Sequence, residues 1–306
     1  MLAITVMTNE GEPLSRPSAD ELAGLVRRIG AEDDGFVVVE RIPDLPDVYI
    51  QVCHTDGEDY TLEHRDGSAD RHFEVRLDGP EPAVEAMTAW ARGEAGWGDG
   101  LDWHPVDLGP EPEPVPEPEL DAEERQELEE RLRLTLACGY TDRARLAEEA
   151  EEYLVSDDGR PLSPAQAERL ADRLWLERVG EQTGWLGETD PERLTRAFAA
   201  LEADGITARE DFTCCRSCGQ AEIGGAGAPG ARGFVYFHSQ CTESAATGHG
   251  LTLLYGGFDG STATTTAVGH EVVAALTAVG LPTVWNGDPS HAIEVRPLLW
   301  RRRLGS

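Results

Sequence analysis

The chain has 306 residues, 40% apolar and 7% aromatic, which suffices for a packed core and for one to three domains. Acidic side chains outnumber basic ones 58 to 26, a net charge of −32. So acidic a chain lacks the concentrated positive field that displaces counterions from phosphates, which argues against nucleic acid and against anionic membranes as partners.

No apolar run reaches the length of a membrane span, and the first residues, MLAITVMTNEGEP, carry neither a basic nor a long apolar stretch of the secretory type. The expected location is the cytoplasm. All 26 basic residues are arginine, which a GC-rich coding sequence explains. Six cysteines in such a compartment are expected to be thiols or metal ligands rather than disulfides.

Residues 1–108 read as a small α+β domain. Leu2–Met7 is rich in strand formers. Ser18, followed three residues later by Glu21, predicts a capping box, and Leu22, Leu25, Val26 and Ile29 then recur at helical spacing. Strands are predicted at Phe36–Arg41, Val48–His54, Tyr60–Arg65 and His72–Leu77, with Asp56-Gly57 and Asp66-Gly67 as turns. A second helix is expected over Glu81–Arg92, and a short segment at Leu101–Val106 closes the unit. Trp97 and Trp103, in a glycine- and aspartate-rich stretch, are expected to pack as core or lid; an aromatic protein-binding surface is the alternative.

Residues 109–119, GPEPEPVPEPE, alternate proline with glutamate. Proline removes backbone donors and the carboxylates repel, so the expectation is a semi-rigid spacer of roughly 34 Å. The rest, 120–306, divides into a helical part (120–205) and a mixed α/β part (206–306). Helices are predicted over Leu120–Cys138, Asp142–Val155, Pro164–Gly180 and Pro191–Ala203, the last two opened by Ser163-Pro164 and Asp190-Pro191. The Glu148, Glu149, Glu151, Glu152 run reads as a solvated helix face. Further on, Phe234–His238 and Leu251–Tyr255 read as strands, Ile223–Gly233 as a glycine-rich loop and Val268–Val279 as a helix. Thr283–Trp285, Ala292–Arg296 and Leu299–Arg302 are expected to be terminal strands. The overall expectation is an α+β fold: a two-helix, antiparallel-sheet N-terminal domain, a Pro/Glu linker, and a helical layer docked on a C-terminal mixed α/β unit.

The chemistry is concentrated between Cys214 and Cys241. Cys215-Arg-Ser-Cys218-Gly219 can bring two thiolates to one metal from a tight turn, and His238-Ser-Gln-Cys241 repeats the spacing. Cys215, Cys218, His238 and Cys241 are therefore the candidate ligands of a structural Zn²⁺, with Cys214 a spare thiol. Buried thiols beside a satisfied histidine are the bland alternative. A redox CxxC lacks an evident strand-then-helix setting in the sequence. Glu243 is the one nearby base for a catalytic zinc, but neither HExxH nor HxE with PCxxC is present. Gly256–Gly260, Asp288/Ser290/His291 and Arg301–Arg303 read as a turn, a surface turn and a small basic run.

Several stretches resemble the bacterial family of uncharacterised domains DUF6891 over residues 126–304. These are Gly139-Tyr140, Trp185–Asp190, Arg193–Leu201, the run Gly205–Gly219, Gly233–His238 with Thr242-Glu243, and Val284–Gly287. The resemblance implies one domain for helices and cysteine segment together, and no activity. Where this chain has Cys241, the family pattern often has Asp, a departure that counts against Cys241 as fourth ligand, although Asp also ligates zinc. Residues 1–108 are similar in layout to Imm1 bacterial immunity proteins, through the helix Glu21–Ile29, the strand run to Asp78 and the late helix leading to Leu101-Asp-Trp103. That resemblance implies binding of a deaminase-type toxin, which an acidic surface suits. The expectation is thus a non-enzymatic protein-binding protein with a basic toxin as its partner. An enzyme with its site around His238, Glu243 and the cysteines, or an orphan regulatory or stress protein, is the alternative.

Overall fold

A computed structural model describes residues 1–9, 11–30, 35–55, 57–109, 113–155 and 159–305. Residues 110–112 of the expected spacer and Asp56 of an expected turn lie outside them. The backbone divides into two compact units, Met1–Pro116 and Glu117–Leu304.

In the first unit, alternation does what the pleat requires: every second side chain faces the helices. Strands β1 (Ile4–Thr8), β3 (Phe36–Leu45), β4 (Val48–Cys53), β5 (Tyr60–Asp66) and β6 (His72–Leu77) bury Ile4, Val6, Val37, Val39, Ile50, Val52, Leu62 and Val75. The register Val39↔Ile50, Val52↔Leu62, Leu62↔Val75 puts them on one face. With β2 (Leu14–Ser15) and β7 (His104–Pro105) the sheet runs β2-β1-β3-β4-β5-β6-β7, antiparallel throughout. Helices α1 (Ala19–Arg28) and α2 (Pro80–Ala91) cover that face with Leu22, Val26, Met87 and Trp90. The capping box at α1 is present: Ser18 Oγ accepts from the Glu21 amide (3.2 Å) and Glu21 Oε2 from the Ser18 amide (2.7 Å). Gly67, at φ 88°, supplies the left-handed residue its turn needs. Trp97 and Trp103 pack against the core, and Trp103 Nε1 donates to the Gly98 carbonyl (3.1 Å).

The second unit opens with helices α3 (Ala122–Cys138), α4 (Arg143–Tyr153), α5 (Pro164–Gln182) and α6 (Asp190–Ala203). The first three share an apolar cluster of Leu128, Leu132, Leu136, Leu146, Leu174 and Trp175. Helix α6 instead turns Leu194, Phe198 and Leu201 into the core of the sheet beyond it, so the helical layer docks on the mixed unit. Its N-cap is Thr189, one residue before the expected Asp190, because Glu192 reaches back to the Thr189 amide (2.7 Å). The sheet runs β11-β12-β10-β9-β8, from β8 (Ile206–Arg209), β9 (Gly233–Tyr236), β10 (Leu251–Gly257), β11 (Thr283–Val284) and β12 (Ile293–Val295). Among the described residues β8 and β9 pair in parallel and the other neighbours of this sheet antiparallel. Helices α7 (Arg216–Glu222), α8 (Ser239–Ala246) and α9 (Thr262–Ala278) complete the unit, the first two in segments with no helical periodicity long enough to announce them. Leu299–Arg302, expected as a strand, is not one. Its side chains are used singly: Trp300 enters the sheet core and Arg302 forms an internal ion pair. Among the described residues, no helix is long and apolar enough to cross a membrane.

Candidate metal centre

The parallel pairing of β8 and β9 has a chemical consequence. Both strands end at the same edge of the sheet, so the segments that follow them, 210–215 and 237–238, emerge side by side. Hydrogen bonding continues past the strand ends. The Phe212 amide donates to the Phe237 carbonyl (2.7 Å), the Ser239 amide to that of Thr213 (3.1 Å), and Ser239 Oγ to that of Cys214 (3.1 Å). Cys215 is then the N-cap of α7 and His238 the N-cap of α8. The strand-then-helix setting that the sequence did not reveal is present. Asp211 and Thr213, at φ 47° and 64°, hold the left-handed conformation that non-glycine residues avoid, so the turn into the cysteines is strained.

This turn brings three thiols together. The sulfurs of Cys214, Cys215 and Cys218 lie within 4.8 Å of one another, with Cys214 and Cys218 3.6 Å apart. A tetrahedral zinc site with Zn–S bonds of about 2.3 Å has edges of about 3.8 Å, so the spacing fits a thiophilic metal. Cys214, expected to be spare, is a full member of the group. Backbone amides at the start of α7, that of Cys218 first, hold the Cys215 thiol below its usual range. Hydrogen bonding of its own S–H to Cys214 and Cys215 pushes Cys218 up to about 11. Gly219 is required because any side chain there would strike the Tyr236 ring, so α7 could not lie on β9.

His238 and Cys241 form a pair of their own. Cys241 Sγ is 3.4 Å from His238 Nε2, both residues are buried, and His238 Nδ1 has no hydrogen-bond partner. Burial, reinforced by Arg216, keeps the imidazole neutral, the form that ligates metals. Burial also raises the Cys241 thiol. Of the four predicted ligands, Cys215 and Cys218 thus sit in one group and His238 and Cys241 in another, both at the same sheet edge. Glu243 is committed elsewhere: it takes Arg131 Nη1 (2.8 Å), whose Nε binds Glu149 (2.7 Å). Glu149 of the acidic run therefore ties helices together, while Glu148 and Glu152 are exposed.

Beneath the cysteine turn lies a polar network that sequence reasoning did not assemble. Glu210 Oε2 accepts from Tyr140 Oη (2.6 Å) and from Arg302 Nη1 (2.9 Å), and the Arg302 guanidinium lies 3.9 Å over the Tyr140 ring. Asp211 accepts from the fully buried Thr242 hydroxyl (2.5 Å), and burial raises its carboxyl above the usual range. Gly139, in the left-handed region at φ 80°, ends α3 and aims Tyr140 into this network. The signal was available in part. Tyr140, Glu210, Asp211, Cys218, His238 and Thr242 all belong to the stretches through which the chain resembles DUF6891, and stretches far apart in sequence converge here. The Arg301–Arg303 run is no basic patch, since Arg302 binds Glu210 and Arg303 binds Glu192 and the Trp185 carbonyl. Asp288, Ser290 and His291 form an exposed hydrogen-bonded turn. All six cysteines are free thiols; Cys53 and Cys138 lie outside the group, and burial pushes Cys138 up to about 12.

The second unit is therefore a helical layer on a mixed sheet, with a three-thiol centre where its parallel strands end. The DUF6891 model, a domain of unknown function, matches residues 121–304, and the chain belongs to that family. No curated protein and no solved structure matches it.

Proposed function

We propose that the protein is a non-enzymatic cytoplasmic binding protein whose DUF6891 domain is stiffened by Zn²⁺ on Cys214, Cys215 and Cys218. The convergence of three thiols on one strained turn carries the metal reading. Bound zinc would clamp the start of α7 to the loop after β8, with His238 and Cys241 as the neighbouring pair at the same edge. The unit 1–108, with its Imm1-like order of helix, strand run and late helix, engages a protein partner of basic surface such as a bacterial toxin. The net charge of −32 supports this choice, because complementary charge speeds encounter and selects the partner. Elemental analysis of the purified full chain tests the metal: one zinc per chain is expected, and less than half of that in Cys218→Ser. A metal-free wild-type chain after purification under reducing, zinc-supplemented conditions sinks this reading. Stoichiometric, salt-weakened capture of a basic toxin domain tests the partner; capture of no basic protein at low salt removes it.

A second reading is favoured by the strand-then-helix setting and the 3.6 Å separation of Cys214 and Cys218, which suit a dithiol–disulfide couple. Mass analysis after treatment with a mild disulfide oxidant separates the two: loss of two hydrogen atoms per chain (two protons and two electrons, the electrons taken by the oxidant) with no metal bound selects the couple.

A further inference from the structure

The first unit contains a feature that the metal centre does not use. Where α2 ends above the sheet, a cavity of about 380 Å³ is lined by Arg41, Val48, His64, Asp66, Trp90 and Trp97, among others. Its volume lies in the range of small-molecule sites. Its walls are held in place. The His64 ring stacks on Phe73 (centroids 5.3 Å apart) and meets Trp97 and Trp103 edge-on at 4.9 and 4.7 Å. Burial holds His64 below its ordinary range, so at neutral pH it brings no charge.

The one cation of the cavity is Arg41. Its guanidinium lies 4.5 Å over the Trp90 ring and Nη2 donates to the Trp90 carbonyl (3.3 Å). Its Nε is buried without a hydrogen-bond partner, and among the described residues no carboxylate pairs with Arg41 in a chain holding 58 of them. Asp66, the acid of the lining, is bound by Arg71. A cationic ligand would meet the guanidinium already seated on Trp90. A dianion would meet one cation and the Asp66 carboxylate. The aromatic and aliphatic lining around a single cation, Arg41, favours a flat apolar group bearing one negative charge.

We propose that this cavity binds a small aromatic monocarboxylate, its carboxylate on Arg41 and its ring against Val48 and Trp97. The site is independent of the thiols and stands or falls apart from the zinc reading. The test uses the unaltered full chain with phenylacetate and its neutral isostere phenylacetamide, by calorimetry and by the indole N–H resonances of the tryptophans. Phenylacetate is expected to bind about tenfold more tightly than the amide, the difference a charge-assisted hydrogen bond makes. It should also shift the Trp97 indole signal. Arg41→Gln is expected to reduce the acid to the affinity of the amide, and Val48→Phe, which fills the cavity and leaves Arg41 in place, to abolish binding of both. Equal affinity for acid and amide, no saturable binding of phenylacetate, or an unchanged dissociation constant in folded Arg41→Gln would each overturn the proposal.

Discussion

The two sheets of this protein differ in how they are wired, and the difference decides where chemistry can sit. In the first unit every pairing is antiparallel, and from β3 to β6 each strand turns back onto the strand beside it. In the second, β8 and β9 run in parallel, and the segments that follow each are delivered to the same edge. The three thiols, the His238–Cys241 pair and the Tyr140–Glu210–Arg302 network all gather there. The first unit's counterpart is a cavity walled by aromatic rings rather than a cluster of nucleophiles. One parallel pair suffices to concentrate reactive groups, consistent with the general placement of sites at the carboxyl ends of strands.

The strongest way to break this comparison is to test whether the units melt separately. Leu62→Ala, in the first core, should cost about 2–5 kcal/mol, and Phe237→Ala, in the second, about 3–5 kcal/mol. Calorimetry should show each lowering one transition only; a shift of both by either variant would mean that the units unfold as one. Next in size is the charged network. Glu210→Ala removes the carboxylate that Arg302 Nη1, on a side chain 10% exposed, and Tyr140 Oη both bind, and should cost about 3 kcal/mol. Glu81→Ala, which breaks the exposed Arg27–Glu81 pair of the first unit, should leave denaturant midpoints unchanged. If both variants behave alike, the network is no more than a surface pair.

Sharper in location is a test of the proposed zinc. A strong chelator should lower the melting temperature of the second unit and leave the first unaltered. Cys53→Ser, in the first unit, should retain all the metal, in contrast to Cys218→Ser; equal loss from both would show that the thiols near α7 are not the ligands. The smallest expected effect concerns pH. His64 titrates lower in the folded chain than in the unfolded one because burial among aromatic rings disfavours its charge. The unfolded state therefore takes up the proton first. The stability His64 contributes is present above the unfolded value of about 6.5 and is lost as pH falls through the folded one. In His64→Phe, urea midpoints measured between neutral and mildly acidic pH should slope less than in the parent chain; an identical slope would assign the dependence to other groups.

Much of the fold is legible in the residues themselves because it rests on local rules. The Ser18/Glu21 box, the apolar alternation of β3 to β6, and the Ser163-Pro164 helix start each act within a few residues, so period and capping chemistry predict them directly. The same holds for the cysteines as candidate ligands, because CxxC spacing is itself a short-range geometric statement. What the residues could not determine by themselves is which sulfurs and carboxylates meet. Cys214 joins Cys215 and Cys218 because Asp211 and Thr213 adopt left-handed backbone that neither residue type demands, and because Ser239, on another segment, hydrogen-bonds the Cys214 carbonyl. Glu243 turns to Arg131 of α3, more than a hundred positions away in the chain. Arg302 leaves its apparent basic run for Glu210. Local propensity specified the elements; long-range pairing, above all of β8 with β9, decided the site, since contacts between distant residues are fixed by the packing of whole elements and leave no period or spacing in the chain.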